Sequence, residues 1–206
     1  GPQLSWTALI ENKGITHSTV SADIDLEFLG FEIRGSSIEA TQTLRIDQGI
    51  KLTGRNEVRL SNNGNLVING GTLSSLRWVD LRPGGILQGN GRIEASLYNN
   101  GIVSTSGKTP IEVSTDYYET LDARLRVSIA GDTSTGLKVN GKAILAGTLE
   151  IDRSNSSAKA NTPYTILTAS QVEGTFRNMN QHVTDGNDQL FSIHYTHSEV
   201  SLVPVK

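Results

Sequence analysis

The chain has 206 residues, with 18 Lys and Arg against 21 Asp and Glu, a formal net charge of −3, and no cysteine. Near-neutral charge with dispersed basic residues excludes the basic stripe of a nucleic-acid partner. The missing cysteine excludes disulfide staples and cysteine zinc sites, and no apolar run reaches the roughly 20 residues that a membrane-spanning helix needs. Gly is frequent at 21 and Pro sparse at 5. With Asn-Gly, Gly-Gly and Asp-Gly pairs scattered throughout, this composition predicts short strands joined by many tight turns, an all-β protein.

Gly1-Pro2 has the form of a scar left by removal of an affinity tag. Residues 3–206 are therefore expected to be a single domain cut from a larger protein whose export signals lie outside it. From Ser21 to Phe28, Ala22, Ile24, Leu26 and Phe28 alternate with Asp23, Asp25 and Glu27, predicting one half-buried strand with an acidic face. Short strands of the same kind follow around Phe31 and Ile33, Leu44 and Ile46, Val58 and Leu60, Leu66 and Ile68, and Val79 and Leu81. Each ends at a turn containing Gly or Asn.

The turns repeat. Ile10-Glu11-Asn12-Lys13-Gly14, Leu60-Ser61-Asn62-Asn63-Gly64 and Leu97-Tyr98-Asn99-Asn100-Gly101 superimpose, with a degenerate copy at Leu81-Arg82-Pro83-Gly84-Gly85. The copies step by 21 residues from Leu60 to Leu81 and by 16 from Leu81 to Leu97. A unit of this size, made of short strands and corners, predicts a solenoid of stacked β-coils. In that register Leu60, Leu81 and Leu97 form one buried ladder, and at least one of Gly64 and Gly101 takes positive φ. Coils are expected over about 3–115. Further coils and an irregular β-rich cap are expected over about 116–206, where aromatic residues thicken and a terminal apolar layer must be hidden.

The stretch Gly89-Asn90-Gly91-Arg92-Ile93-Glu94-Ala95-Ser96-Leu97-Tyr98-Asn99-Asn100-Gly101-Ile102-Val103-Ser104 resembles the repeat of bacterial autotransporter passengers and related secreted β-helix proteins. Thr105-Ser106-Gly107 stands where that repeat often has Ser-Pro-Gly. The resemblance continues through Leu137–Ile151 and Tyr164–Phe176, covering about 57–205 in order. It implies a right-handed parallel β-helix exported from a bacterium, secreted or held at the cell surface. Such repeats serve adhesins, surface proteins and accessory modules beside polysaccharide-degrading domains, so the activity has to be argued from the site.

In the Arg77–Arg82 strand, inward Val79 and Leu81 leave Trp78, Asp80 and Arg82 pointing outward. Arg59 on one flanking coil and Glu94 and Tyr98 on the other complete a candidate ligand-binding face. An aromatic ring beside charged groups is what a sugar face requires. The competing reading packs Trp78 beneath a loop, since Trp is usually deeply buried, and Arg59 and Arg82 then form ordinary surface pairs with Glu57, Asp80 and Glu94. Asp23, Asp25 and Glu27 are read as a solvated face rather than a cation site, and Asp185-Gly186-Asn187-Asp188 as a turn. His194 and His197 fall on opposite faces of a strand, and neither HExxH nor GxSxG occurs.

The sequence thus predicts a non-catalytic, carbohydrate-binding or adhesive module with no catalytic residues, cofactor or metal. Its expected partners are a polysaccharide, an anionic one included, and other domains of the same polypeptide, with neither nucleic acid nor membrane insertion. The alternatives are a structural stalk or passenger segment, and a small polysaccharide-degrading β-helix with a carboxylate pair such as Asp80 and Glu94.

Overall fold

The computed structural model describes residues 7–35, 40–107, 109–130, 133–153 and 163–205; Gly1-Pro2 lie outside them. Short alternating strands cannot bury their apolar face alone, and here each coil buries it against the next in a parallel β-solenoid of about six turns. Three parallel ladders form its faces. One stacks Ser18–Ala22, Gln42–Asp47, the start of Gly64–Leu81, the start of Ile86–Asn99, Ile102–Thr105, Arg124–Ala130 and Thr148–Arg153. A second stacks Leu26–Phe28, Lys51–Gly54, the middles of the two long strands, Ile111–Val113, Leu137–Val139 and Tyr164–Thr168. The third face carries the candidate site. It stacks Thr7–Asn12, Gly30–Gly35, Val58–Ser61, the ends of the two long strands, Tyr117–Glu119, Lys142–Leu145 and Gln171–Gly174.

Side chains alternate in and out of each strand, so like residues stack inside. Leu44, Leu66, Leu87, Val103, Leu125 and Leu149 form one such column and are all buried. Each contributes roughly 1.5–3 kcal/mol by burial, and the column has no polar break. Beyond the parallel rungs the chain turns antiparallel: Glu199–Pro204 pairs with both Tyr164–Thr168 and Leu190–Tyr195, and the latter with His182–Thr184. Tyr164, Phe176 and Phe191 are buried there.

Three expectations are corrected. Leu60 does stack against Leu81, but on the other side of that coil Leu97 stacks against Val79, and the rung next to Leu81 is Asn99. The two Asn-Asn-Gly corners look alike yet differ by two residues in where their strands end. Positive φ is carried not by Gly64 or Gly101 but by Asn62, Asn63 and Gly84. Gly64 and Gly101 are glycines because the neighbouring coil runs too close: a Cβ would meet Ile33 O at 2.0 Å and Gly85 O at 2.3 Å, respectively. Finally, Ser21–Phe28 is not one strand. It bends between Ala22 and Leu26, leaving Ile24 59% exposed, Asp25 accepting the Lys51 amide and Glu27 paired with Arg55.

Candidate functional site

On the third face, inward Val79, Leu81 and Leu97 hold their outward neighbours in columns. Arg59 stands beside Asp80, Asp80 beside Tyr98, and Tyr98 beside Tyr118, while Trp78 stands beside Ser96. The aromatic rings form a row. Tyr98 and Tyr118 stack at 4.7 Å between centroids with 7° between planes, close to the strand spacing. Trp78 meets Tyr98 edge-on at 6.1 Å and 75°, and the Arg77 guanidinium lies 5.5 Å from the Trp78 centroid. Trp78 is half-buried and Tyr98 is 42% exposed. The stacked tyrosines cover each other's faces, so the turned Trp78 ring is the member oriented differently from the stack.

The charges beside this row are mostly committed to one another. Asp80 accepts Arg82 Nε at 2.9 Å and has Arg59 Nε at 3.8 Å; Arg59 also pairs with Glu57 and lies 3.9 Å from Glu32. Three carboxylates thus surround two guanidiniums, and the hydrogen bond to Asp80 raises the Arg82 pKa. An anionic ligand would have to displace these pairs against the local charge.

Trp78, Asp80, Leu81, Tyr98, Asn99, Asn100, Tyr118, Glu119 and Thr120 line a groove of about 500 Å³. Its floor is tied down by a buried polar chain. Asn99 Nδ2 donates to Tyr117 Oη at 3.0 Å, Tyr117 Oη donates to Glu119 Oε1 at 2.8 Å, and Glu119 Oε2 accepts the amides of Ala146 and Gly147 at 3.2 and 3.0 Å. Burial pushes the Glu119 carboxyl up to about 7, although the hydroxyl and both amides favour its charged form. Burial also raises the Tyr117 phenol, with the Glu119 charge adding to it.

Of the residues singled out in sequence, the fold gathers Trp78, Asp80, Arg82, Arg59 and Tyr98. Glu94 is elsewhere: its register partner is Ser74, on the second face, and it pairs with Lys51 at 2.6 Å and Arg92 at 3.3 Å. The hydrogen bond from Lys51 lowers its pKa. Asp80 and Glu94 therefore sit on separate strand segments with separate cations. Asp185 closes a turn, its Oδ1 accepting the amides of Asn187 and Gln189. Among the described residues no three His, Asp or Glu side chains gather to hold a metal. A second groove of about 580 Å³, lined by Arg126, Glu150, Asp152, Asn178 and His182 among others, holds no Trp, Tyr or Phe.

Sequence reasoning missed Tyr118 and the chain Asn99–Tyr117–Glu119. Tyr118 had a signal, standing about one coil after Tyr98. Among the described residues no helix is long and apolar enough to cross a membrane. Comparison of the chain with protein-family models and with curated proteins gives no match.

Proposed function

We propose that the chain is a non-catalytic carbohydrate-binding module of a larger secreted or surface bacterial protein, with the Trp78 face as its binding surface. The observation that carries this reading is the row Trp78–Tyr98–Tyr118 along one outward groove, next to the amide of Asn100 and the hydroxyl of Thr120. Rings cover the C–H faces and edges of a sugar, and neutral polar groups exchange hydrogen bonds with its hydroxyls. The ligand is a neutral glycan rather than an anionic one, because the nearby guanidiniums already hold carboxylates. Export rests on the resemblance of about 57–205 to autotransporter passengers, and the antiparallel aromatic-rich C-terminal strands are read as the cap of a right-handed helix.

Glu119 has the raised pKa expected of a general acid. Both its oxygens, however, are engaged by the protein's own donors, and Asp80 is tied to Arg82, so these carboxyls are read as structural. Affinity electrophoresis in gels containing glucomannan, mixed-linkage β-glucan, xylan, alginate or carrageenan tests the reading. Retardation by a neutral polymer, lost in Trp78→Ala with an unchanged circular dichroism spectrum, is expected. No retardation in any gel would leave the stalk or passenger reading, and release of reducing or unsaturated ends by the protein alone would overturn the non-catalytic one.

A further inference from the structure

The coils differ in length at the corner where the third face turns into the first. Leu60 and Gly64 are separated there by Ser61, Asn62 and Asn63, and Leu81 and Gly85 by Arg82, Pro83 and Gly84. In the next coil Asn99 and Gly101 occupy those same rungs with only Asn100 between them. One coil further, Glu119 and Ala123 are again separated by three residues, Thr120, Leu121 and Asp122. A one-residue corner thus lies between two three-residue corners. Arg82, Pro83 and Gly84 stand exposed on one side and Thr120, Leu121 and Asp122 on the other, with Leu121 65% exposed.

Asn100 of the short corner and Thr120 of the next one also line the groove beside Trp78. The flanking corners are two strand spacings apart, about 9.6 Å, so the withdrawn corner leaves a slot about 4.8 Å wide. That is close to the thickness of a single pyranose ring. At the floor, Asn100 Oδ1 accepts Thr120 Oγ1 at 2.6 Å, and among the described residues the Asn100 amide nitrogen takes no acceptor. Trp78 stands three residues up-strand of Leu81, about 10 Å away. That length is enough for a disaccharide lying along the strand direction.

We infer that the shortened Asn99–Asn100–Gly101 corner is a sugar-seating slot, and that the ligand is a linear neutral polysaccharide crossing the solenoid axis, with one unbranched sugar in the slot and the next against Trp78. This rests on the carbohydrate-binding reading. It adds what that reading leaves open: the direction of the chain, its lack of a branch at the seated sugar, and the donor that meets it.

The test restores the missing corner. Pro-Gly inserted between Asn100 and Gly101 gives that coil the length of its neighbours, and Thr120→Trp fills the slot from its wall without changing the chain path. Both are compared with Trp78→Ala in titrations with glucomannan, xylan and mixed-linkage β-glucan, and with xyloglucan as the branched probe. The inference expects each of the three changes to weaken binding of the retained linear polymer by about tenfold or more, and xyloglucan to bind more weakly than the linear polymers. Binding unchanged in the insertion and in Thr120→Trp, but lost in Trp78→Ala, would overturn the slot while leaving the carbohydrate reading intact. If the insertion does not fold, Thr120→Trp decides alone. Failure of the unmodified protein to bind any of the polymers would instead overturn the reading beneath it.

Discussion

Replacing Glu119 with Gln removes a buried charge while keeping the side chain's volume, and its consequence is a specific pH dependence. In the folded chain the Glu119 carboxyl is pushed from 4.5 up to about 7, chiefly by burial. A raised carboxylate pKa means that the folded state holds a proton which the unfolded state has released. Glu119 therefore supports the fold fully below about pH 4.5, and this support is lost as pH rises through about 7. The rise corresponds to about 3 kcal/mol at full ionisation, at roughly 1.4 kcal/mol per pH unit. The amide introduced by Glu119→Gln cannot ionise. Urea unfolding of both proteins between pH 4.5 and 8.5, followed by far-ultraviolet circular dichroism, should show the substituted protein gaining on the original by about 3 kcal/mol across that window. Groups common to both proteins cancel in the difference. A difference that stays flat from pH 4.5 to 8.5 would instead mean that the three donors hold Glu119 ionised in spite of its burial.

Two further outcomes follow from the ladders. Leu81→Ala, at a fully buried rung between Leu60 and Asn99, should cost about 2–5 kcal/mol in denaturant unfolding, because a stacked column cannot collapse into the cavity. Gly85→Ala places a Cβ 2.4 Å from the Leu60 carbonyl oxygen; it should lower the melting temperature by several degrees, as the coils must separate locally, whereas Gly186→Ala, where the added Cβ has nothing within 4 Å, should lower it much less.

The coil stack was legible because aliphatic rungs repeat at the corners: Leu60 and Leu81, and Leu66, Leu87 and Val103, fall into register from the sequence alone. The error at Leu97 has a physical source. Its coil places a polar residue, Asn99, on an inward rung, and sequence patterns recognise rungs by their apolar character. Asn99 is tolerated there because its amide donates to Tyr117 Oη and to the Arg124 carbonyl and accepts the Gly101 amide. The same displacement put Glu94 beside Trp78, when two residues of register carry it to the second face. Gly64 and Gly101 were recognised as special for the wrong reason, since a close backbone approach and a positive φ leave the same residue in the sequence. Tyr118 was hidden by its own strand: Tyr117, Tyr118 and Glu119 alternate in, out and in, yet neither their hydropathy nor their size alternates.

The most direct test of the binding surface is an amide and indole nuclear magnetic resonance titration of the uniformly labelled protein with an oligosaccharide of whichever neutral linear polymer retards it most. Saturating shifts should cluster on the Trp78 indole, Tyr98, Asn100, Tyr118 and Thr120, with the second face around Glu94 unmoved. Shifts centred instead on the polar groove of Glu150, Asp152 and His182, or scattered without saturation, would contradict binding at the Trp78 face.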